Sequence, residues 1–169
     1  MDGEHRHRLA VVDYGTNTFT LHVARLEPGG WKPVFRQRRF VRLGHDSFRT
    51  GRLSPLRMRR GLDVLASFRE TALNFGVTHV RAIGCSALRD AANGAEFVAG
   101  AGESGWAIEV IDGDREADWI QRGVADTVGP DVLGEDTALT LDIGGGSVET
   151  VLWDRQAIQG RFSLGLGVA

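Results

Sequence analysis

The chain opens on short apolar runs separated by glycine-bearing turns. Leu9, Ala10, Val11 and Val12 form one run, closed by Asp13. A run of that length bounded by a turn signal predicts a short buried strand over 9–13. Over 18–26 Phe19, Leu21 and Val23 alternate with Thr20, His22 and Ala24, the period of two that marks a second strand. Tyr14-Gly15-Thr16-Asn17 predicts the tight turn between them, and Pro28-Gly29-Gly30 the next turn, before a third strand over 31–40. The opening is therefore a set of antiparallel hairpins.

The period then changes. Ser54 followed by Pro55 is a helix start, N-cap and N1. Leu56, Leu62, Leu65, Phe68, Ala72 and Leu73 recur at helical spacing to about residue 75, and Gly76 ends the helix at C′. A strand over 77–83 leads through Gly84-Cys85-Ser86 into a helix over 87–92. Asn93-Gly94 breaks it, and a short helix follows over 95–100. Another strand, 107–111, passes through Asp112-Gly113 into a helix over 114–128, with Trp119, Ile120, Gly123 and Val124 as its packing face. Strand and helix alternating in this way predict parallel β-α-β units. The fold class is α/β, a mixed sheet with antiparallel hairpins first and parallel units after.

Past Gly129-Pro130 and Gly134-Glu135-Asp136, three strands are expected over 138–143, 147–153 and 157–164, with turns at Gly144-Gly145-Gly146 and Asp154-Arg155. This repeats the opening layout. Two similar lobes are expected, a first over 1–125 and the start of a second over 126–169. The second is incomplete, because no further helices follow to cover its sheet.

Composition changes this picture little. With 42% hydrophobic and 25% charged residues the chain falls in the range of globular proteins. No apolar run nears the roughly 18–20 residues that span a membrane, and residues 1–8 lack the apolar stretch of a signal peptide, so a cytoplasmic protein is expected. The single cysteine, Cys85, excludes an internal disulfide framework and a multi-cysteine zinc site. With no histidine near it in sequence it reads as a small buried residue. His5 and His7 fall in a polar tail that reads as disordered. His22, His45 and His79 are isolated, without metal-ligand spacing. Trp31, Trp106, Trp119 and Trp153 fit core or lobe-contact roles.

Charge distribution changes it more. Nineteen of the twenty basic residues are Arg, and nine lie between Arg36 and Arg60 with only Asp46 among them. That stretch carries +8 and the rest of the chain −10. A solvated face explains it as well as a field drawing a polyanion, whose oxygens match the planar guanidinium fork. The net charge of −2 argues against nucleic acid as the main partner.

The candidate chemistry lies in two turns, Asp13-Tyr14-Gly15-Thr16-Asn17-Thr18 and Asp142-Ile143-Gly144-Gly145-Gly146-Ser147. Each follows an apolar strand and precedes another. Glycines Gly15, Gly144, Gly145 and Gly146 let backbone N–H groups approach phosphate oxygens as an anion nest. Thr16, Asn17, Thr18 and Ser147 add side-chain donors. Asp13 and Asp142 can each hold a hydrated Mg²⁺. One such turn alone is an ordinary hairpin turn. Two in matching positions, 129 residues apart, point to phosphate.

The two turns resemble the phosphate loops of the actin, sugar kinase and Hsp70 superfold, and within it the chain resembles the Ppx/GppA phosphatases. Val41-Arg42-Leu43-Gly44, Thr50-Gly51-Arg52-Leu53-Ser54, Cys85-Ser86-Ala87-Leu88-Arg89-Asp90-Ala91, Ile111-Asp112-Gly113-Asp114-Arg115-Glu116-Ala117 and the stretch 141–149 match that family's pattern in family order. The resemblance implies an actin-like ATPase, ribonuclease H-like, lobe with the active site in a cleft between two lobes. It implies Glu116 as catalytic base, and Asp142 and Glu149 as acids in metal binding and catalysis. Gly145, Gly146 and Ser147, with Asp13, Thr16, Asn17 and Thr18, match the phosphate turns, and Arg42 and Arg89 are further phosphate ligands. Arg115 stands where the family has Glu and would lower the pKa of Glu116 if it faced the cleft. Val148 replaces a family Thr.

The expected activity is Mg²⁺-dependent hydrolysis of the terminal phosphoanhydride of polyphosphate or guanosine pentaphosphate, weak or absent in a chain with one full lobe. A kinase or ATPase of the same superfold is the first alternative, and it leaves the matches at 86–91 and 113–117 unexplained. A binding module without turnover is the second. Exposed apolar strands in the incomplete lobe make a homodimer a further expectation.

Overall fold

A computed structural model describes residues 7–129, 137–155 and 157–168. It divides into two compact units, Met1–Val110 and Ile111–Ala169.

The first unit is a five-stranded sheet in the order β3-β2-β1-β4-β5. Strands β1 (Arg8–Tyr14), β2 (Thr18–Glu27) and β3 (Gly30–Phe40) form the antiparallel meander. Strands β4 (His79–Gly84) and β5 (Ile108–Val110) add in parallel to β1. The mixed sheet is thus as expected, with a bulge at Val23/Ala24. The expected helix over 55–75 is α2 (Pro55–Asn74), capped by a bond from the Arg57 N–H to Ser54 Oγ. Gly76 takes the left-handed conformation (φ 61°) that ends it. A single turn, α1 (Ser47–Thr50), precedes it, and α3 (Ser86–Asp90) and α4 (Gly94–Glu103) lie between β4 and β5.

Alternation decides which sheet face is core. Ala10, Val12, Tyr14, Phe19, Leu21 and Val23 are buried against Leu65, Phe68 and Ala72 of α2 and Phe97 and Ala101 of α4. Leu56 and Leu73, expected on the packing face of α2, are exposed; Gly61 is buried instead. A Cβ at Gly61 would come within 2.7 Å of Phe97, so the helices approach where glycine leaves room. Trp106 fills the core and donates from Nε1 to the Leu65 carbonyl at 2.9 Å, whereas Trp31 is exposed. His7 departs from the disordered tail expected: its carbonyl accepts the Leu26 N–H at 2.9 Å and its ring meets His79 edge-on. His5 lies outside the described residues.

The second unit holds α5 (Gly113–Val128) and an antiparallel sheet of β6 (Ala138–Ile143), β7 (Val148–Trp153) and β8 (Ile158–Leu164). Its core is Ala117, Val151 and Trp153, with Val124, Ala125 and Ala138 against them. Trp119, expected on the packing face of α5, is exposed. It lies under the Arg115 guanidinium, 4.7 Å from the ring centroid.

Candidate active site

The first turn is closed by a bond from the Gly15 N–H to the Thr18 carbonyl at 3.1 Å. A Cβ at Gly15 would stand 3.0 Å from that same oxygen, so glycine is what lets the turn close. Asp13 ends the strand on the exposed side, opposite Thr20. Thr16 is buried, and its hydroxyl is 3.0 Å from Ser86 Oγ at the start of α3. The Asn17 carbonyl accepts two N–H groups, from Val41 at 3.0 Å and Arg42 at 2.8 Å. Those bonds hold Arg42 at φ 55°, the only non-glycine residue of positive φ among those described. Such a conformation persists where its surroundings over-determine it. The Gly44 N–H donates to the Thr16 carbonyl at 3.0 Å, and a Cβ there would meet Thr16 Cγ2 and Ala87 Cβ.

Three separate stretches therefore meet at this turn: 15–18, 41–44 and the start of α3. Arg42 is exposed beside the turn; Arg89, at the far end of α3, is half-buried with its Nε 3.1 Å from Asp90 Oδ1. Ser86 and Gly44 had no role on sequence grounds, though both fall inside segments singled out there. Their long-range contacts are what give them one. Cys85 is buried beside Ser86, as expected.

The second turn has the same closure. The Gly144 N–H donates to the Ser147 carbonyl at 2.9 Å, and a Cβ at Gly144 would stand 3.1 Å from that oxygen. Gly146 and Ser147 are buried. Gly167 crosses over Gly145 and Gly146 so closely that its Cβ would collide with their backbone, and the Val168 N–H donates to the Gly144 carbonyl at 3.2 Å. Asp142 is exposed and directly opposite Glu149 on β7. Glu149 is 1% exposed. Its Oε1 accepts the Ser163 hydroxyl of β8 at 3.0 Å.

Glu116 lies in the first turn of α5, where the helix dipole favours a carboxylate. Its N–H bonds the Asp112 carbonyl at 3.0 Å, and Asp112 Oδ1 caps the helix through the Arg115 N–H at 2.8 Å. Its Oε2 is shielded from solvent. Ala117 beside it is a core residue under Val151 and Trp153, which fixes the first turn of the helix against β7. Arg161 holds α5 to β8 through Asp118 at 2.5 Å and Asp114 at 3.6 Å, and the Asp118 carboxylate raises the guanidinium pKa.

Around the first turn two groups have displaced pKa values. Burial pushes the Tyr14 hydroxyl far above its ordinary range. The His22 imidazole is lowered, first by burial and then by the charge of Arg36 opposite it on β3.

Two turns of one geometry, each behind an aspartate, are the observation against which relatives can be weighed. Residues 22–169 match the profile of the Ppx/GppA phosphatase family. The chain belongs to that family. It is similar to an exopolyphosphatase from Cytophaga hutchinsonii, with 34% identity and a TM-score of 0.90, over 95% of this chain and 51% of that one. A Ppx/GppA member from Aquifex aeolicus is 29% identical with a TM-score of 0.80, over 96% of this chain and 52% of the other. The ethanolamine utilization protein EutJ from Carboxydothermus hydrogenoformans, 18% identical with a TM-score of 0.52 over 95% of this chain and 52% of the other, shares the fold alone. The fold is that of the actin-like ATPases, and the chain spans about half the length of these solved relatives.

Proposed function

We propose that this chain belongs to a phosphoanhydride hydrolase that removes the terminal phosphate of inorganic polyphosphate or guanosine pentaphosphate. The observation that carries it is the repeated turn, Gly15 to Thr18 and Gly144 to Ser147, closed by the same bond at 3.1 and 2.9 Å. In this reading Gly15, Thr16, Asn17 and Thr18, and Gly144, Gly145, Gly146 and Ser147, present N–H and hydroxyl donors to phosphate oxygens. Arg42 and Arg89 add charge-assisted bonds. The first phosphate-binding lobe is residues 1–125, and 126–169 begin the second. Family membership and the exopolyphosphatase relative support the reading.

The transition state of phosphoryl transfer is loose, so the protein's task is to position groups and neutralise charge. Glu116 orients a water and accepts its proton as the water attacks the terminal phosphorus in line. The bridging oxygen leaves with the bond electrons, and the turn donors take up its developing charge.

A divalent ion is part of this reading. Among the described residues no group of three or more potential ligands stands together. Asp142 and Glu149 nevertheless oppose each other on neighbouring strands. Two carboxylates suit Mg²⁺, which keeps several waters and completes its shell with substrate oxygens rather than a protein cage. Asp142 and Glu149 would hold it, and when bound it neutralises phosphate charge.

A cytoplasmic location is part of the proposal; among the described residues no helix is long and apolar enough to cross a membrane. So is a homodimer through exposed apolar strands, which light scattering reading a monomer at every concentration would exclude.

The test supplies polyphosphate, guanosine pentaphosphate and ATP separately and follows phosphate release. Release from either of the first two, weak in this chain by itself and falling by orders of magnitude in Glu116→Ala, is expected. Turnover of ATP alone would instead favour a kinase or ATPase. Tight polyphosphate binding without release would leave a binding module.

A further inference from the structure

We infer that Ser163 is the positioning residue that fixes the Glu149 carboxylate, and that Gly113 makes room for it to do so; this rests on the phosphohydrolase reading. A carboxylate as deeply buried as Glu149 needs hydrogen-bond donors to stay in place. Ser163 supplies one, its hydroxyl donating to Oε1 at 3.0 Å. The two residues are direct cross-strand partners on β7 and β8, so the bond follows from the sheet register and not from a flexible reach.

Ser163 is held from its other side as well. A Cβ at Gly113, the first residue of α5, would come within 2.5 Å of Ser163 Cβ and closer still to its Oγ. Any larger residue there would push the hydroxyl away from Glu149. The start of the helix that carries Glu116 therefore rests directly on the group that orients Glu149. A donor on one oxygen fixes the plane of the carboxylate and leaves the other oxygen for a cation, a water or a substrate hydroxyl.

The test measures phosphate release from polyphosphate by wild type, Ser163→Ala, Ser163→Thr, Gly113→Ala and Glu149→Ala, and by Ser163→Ala in the Glu149→Ala background. Thermal melting of the same proteins without substrate or metal reads the contact independently of turnover. Ser163→Ala is expected to lower kcat by roughly 10–100-fold with KM changed by no more than about twofold. Gly113→Ala should act likewise, and Ser163→Thr, which keeps the hydroxyl, should retain most of the rate. In the Glu149→Ala background, which removes the acceptor, Ser163→Ala should not lower the melting temperature further. A Ser163→Ala protein as fast as an active wild type would overturn the inference and leave the phosphohydrolase reading standing. The same follows if the loss in melting temperature is equal in both backgrounds. A wild type that neither binds nor hydrolyses either anion removes that reading, and this inference with it.

Discussion

In the first hairpin Ala10, Val12 and Tyr14 of β1 and Phe19, Leu21 and Val23 of β2 are fully buried. The positions 129 residues later in the second hairpin include Leu139, Leu141, Ile143 and Leu152, exposed at 64, 56, 57 and 42%. The opposite faces differ less. Thr20, buried, and His22, half-buried, in the first hairpin correspond to Glu149 and Val151 of the second, both buried on the face covered by α5. One hairpin is thus covered by helices on its apolar face, the other on the face that carries its acids. The turn does not register the difference: both close through the same glycine bond. The surroundings of the acid do. Placing α5 on that face takes Glu149 out of water and forces it to find a donor, whereas Asp13 and Asp142 at the strand ends stay exposed.

The sharpest way to break this comparison is to cut a side chain from each unit. Phe68→Ala, under the covered face of the first hairpin, should cost about 3–5 kcal/mol in urea denaturation. Phe162→Ala, from an exposed position on β8, should change stability by no more than about 0.5 kcal/mol. Equal losses would mean that the second sheet face is buried as the first is.

A methyl group at Gly167 should displace the second turn, because it meets the backbone of Gly145 and Gly146. A shift of that size is expected to slow phosphate release by roughly a hundredfold. Gly165→Ala, with nothing within 4 Å of its Cβ, should leave the rate unchanged. If both variants behave alike, close approach over the turn is not what matters.

The exposed face offers a softer probe. Leu141→Lys and Phe162→Lys should lower the mass read by light scattering if that face joins two copies, since a lysine cannot be buried there without losing its hydration. Equal masses before and after would separate the apolar face from any dimer.

The smallest effect concerns His22. Its folded pKa lies below its ordinary value near 6.5. As pH falls from about 6.5 the unfolded chain takes up a proton before the folded chain does, so stability present above that pH is lost in the window below it. The melting temperature should fall from pH 7.5 to pH 5.5 more in wild type than in His22→Gln. Parallel slopes would show that burial beside Arg36 has no thermodynamic weight.

Much of this architecture was legible from local signals. Ser54, Pro55 and Gly76 bound α2 because caps act on neighbouring residues. The alternation of Phe19, Leu21 and Val23 named the buried face of β2. What local signals could not carry was choice among equally apolar residues. Leu56 and Leu73 match the period of α2 yet are exposed, while Gly61 is buried because Phe97, 36 positions on, packs there. The second helix misled in the same way, since Trp119 is more apolar than Ala117 but only Ala117 fits under Val151 and Trp153. At the candidate site the turns and the acids were readable from residue type and spacing. The tie from Thr16 to Ser86, the support of Glu149 by Ser163 and the crossing of Gly167 were not, because each joins residues whose proximity only the fold creates.

Each unit also encloses one fully packed indole. Trp106 bonds the Leu65 carbonyl in the first unit, and Trp153 bonds Thr140 Oγ1 at 2.8 Å in the second. Shielded rings of this kind emit at shorter wavelength than solvated ones, and the bonds hold them rigid. Beside the exposed Trp31 and Trp119 the protein therefore contains a pair of shielded fluorophores: replacing either by Phe leaves a chain whose red shift in denaturant reports chiefly on the other half.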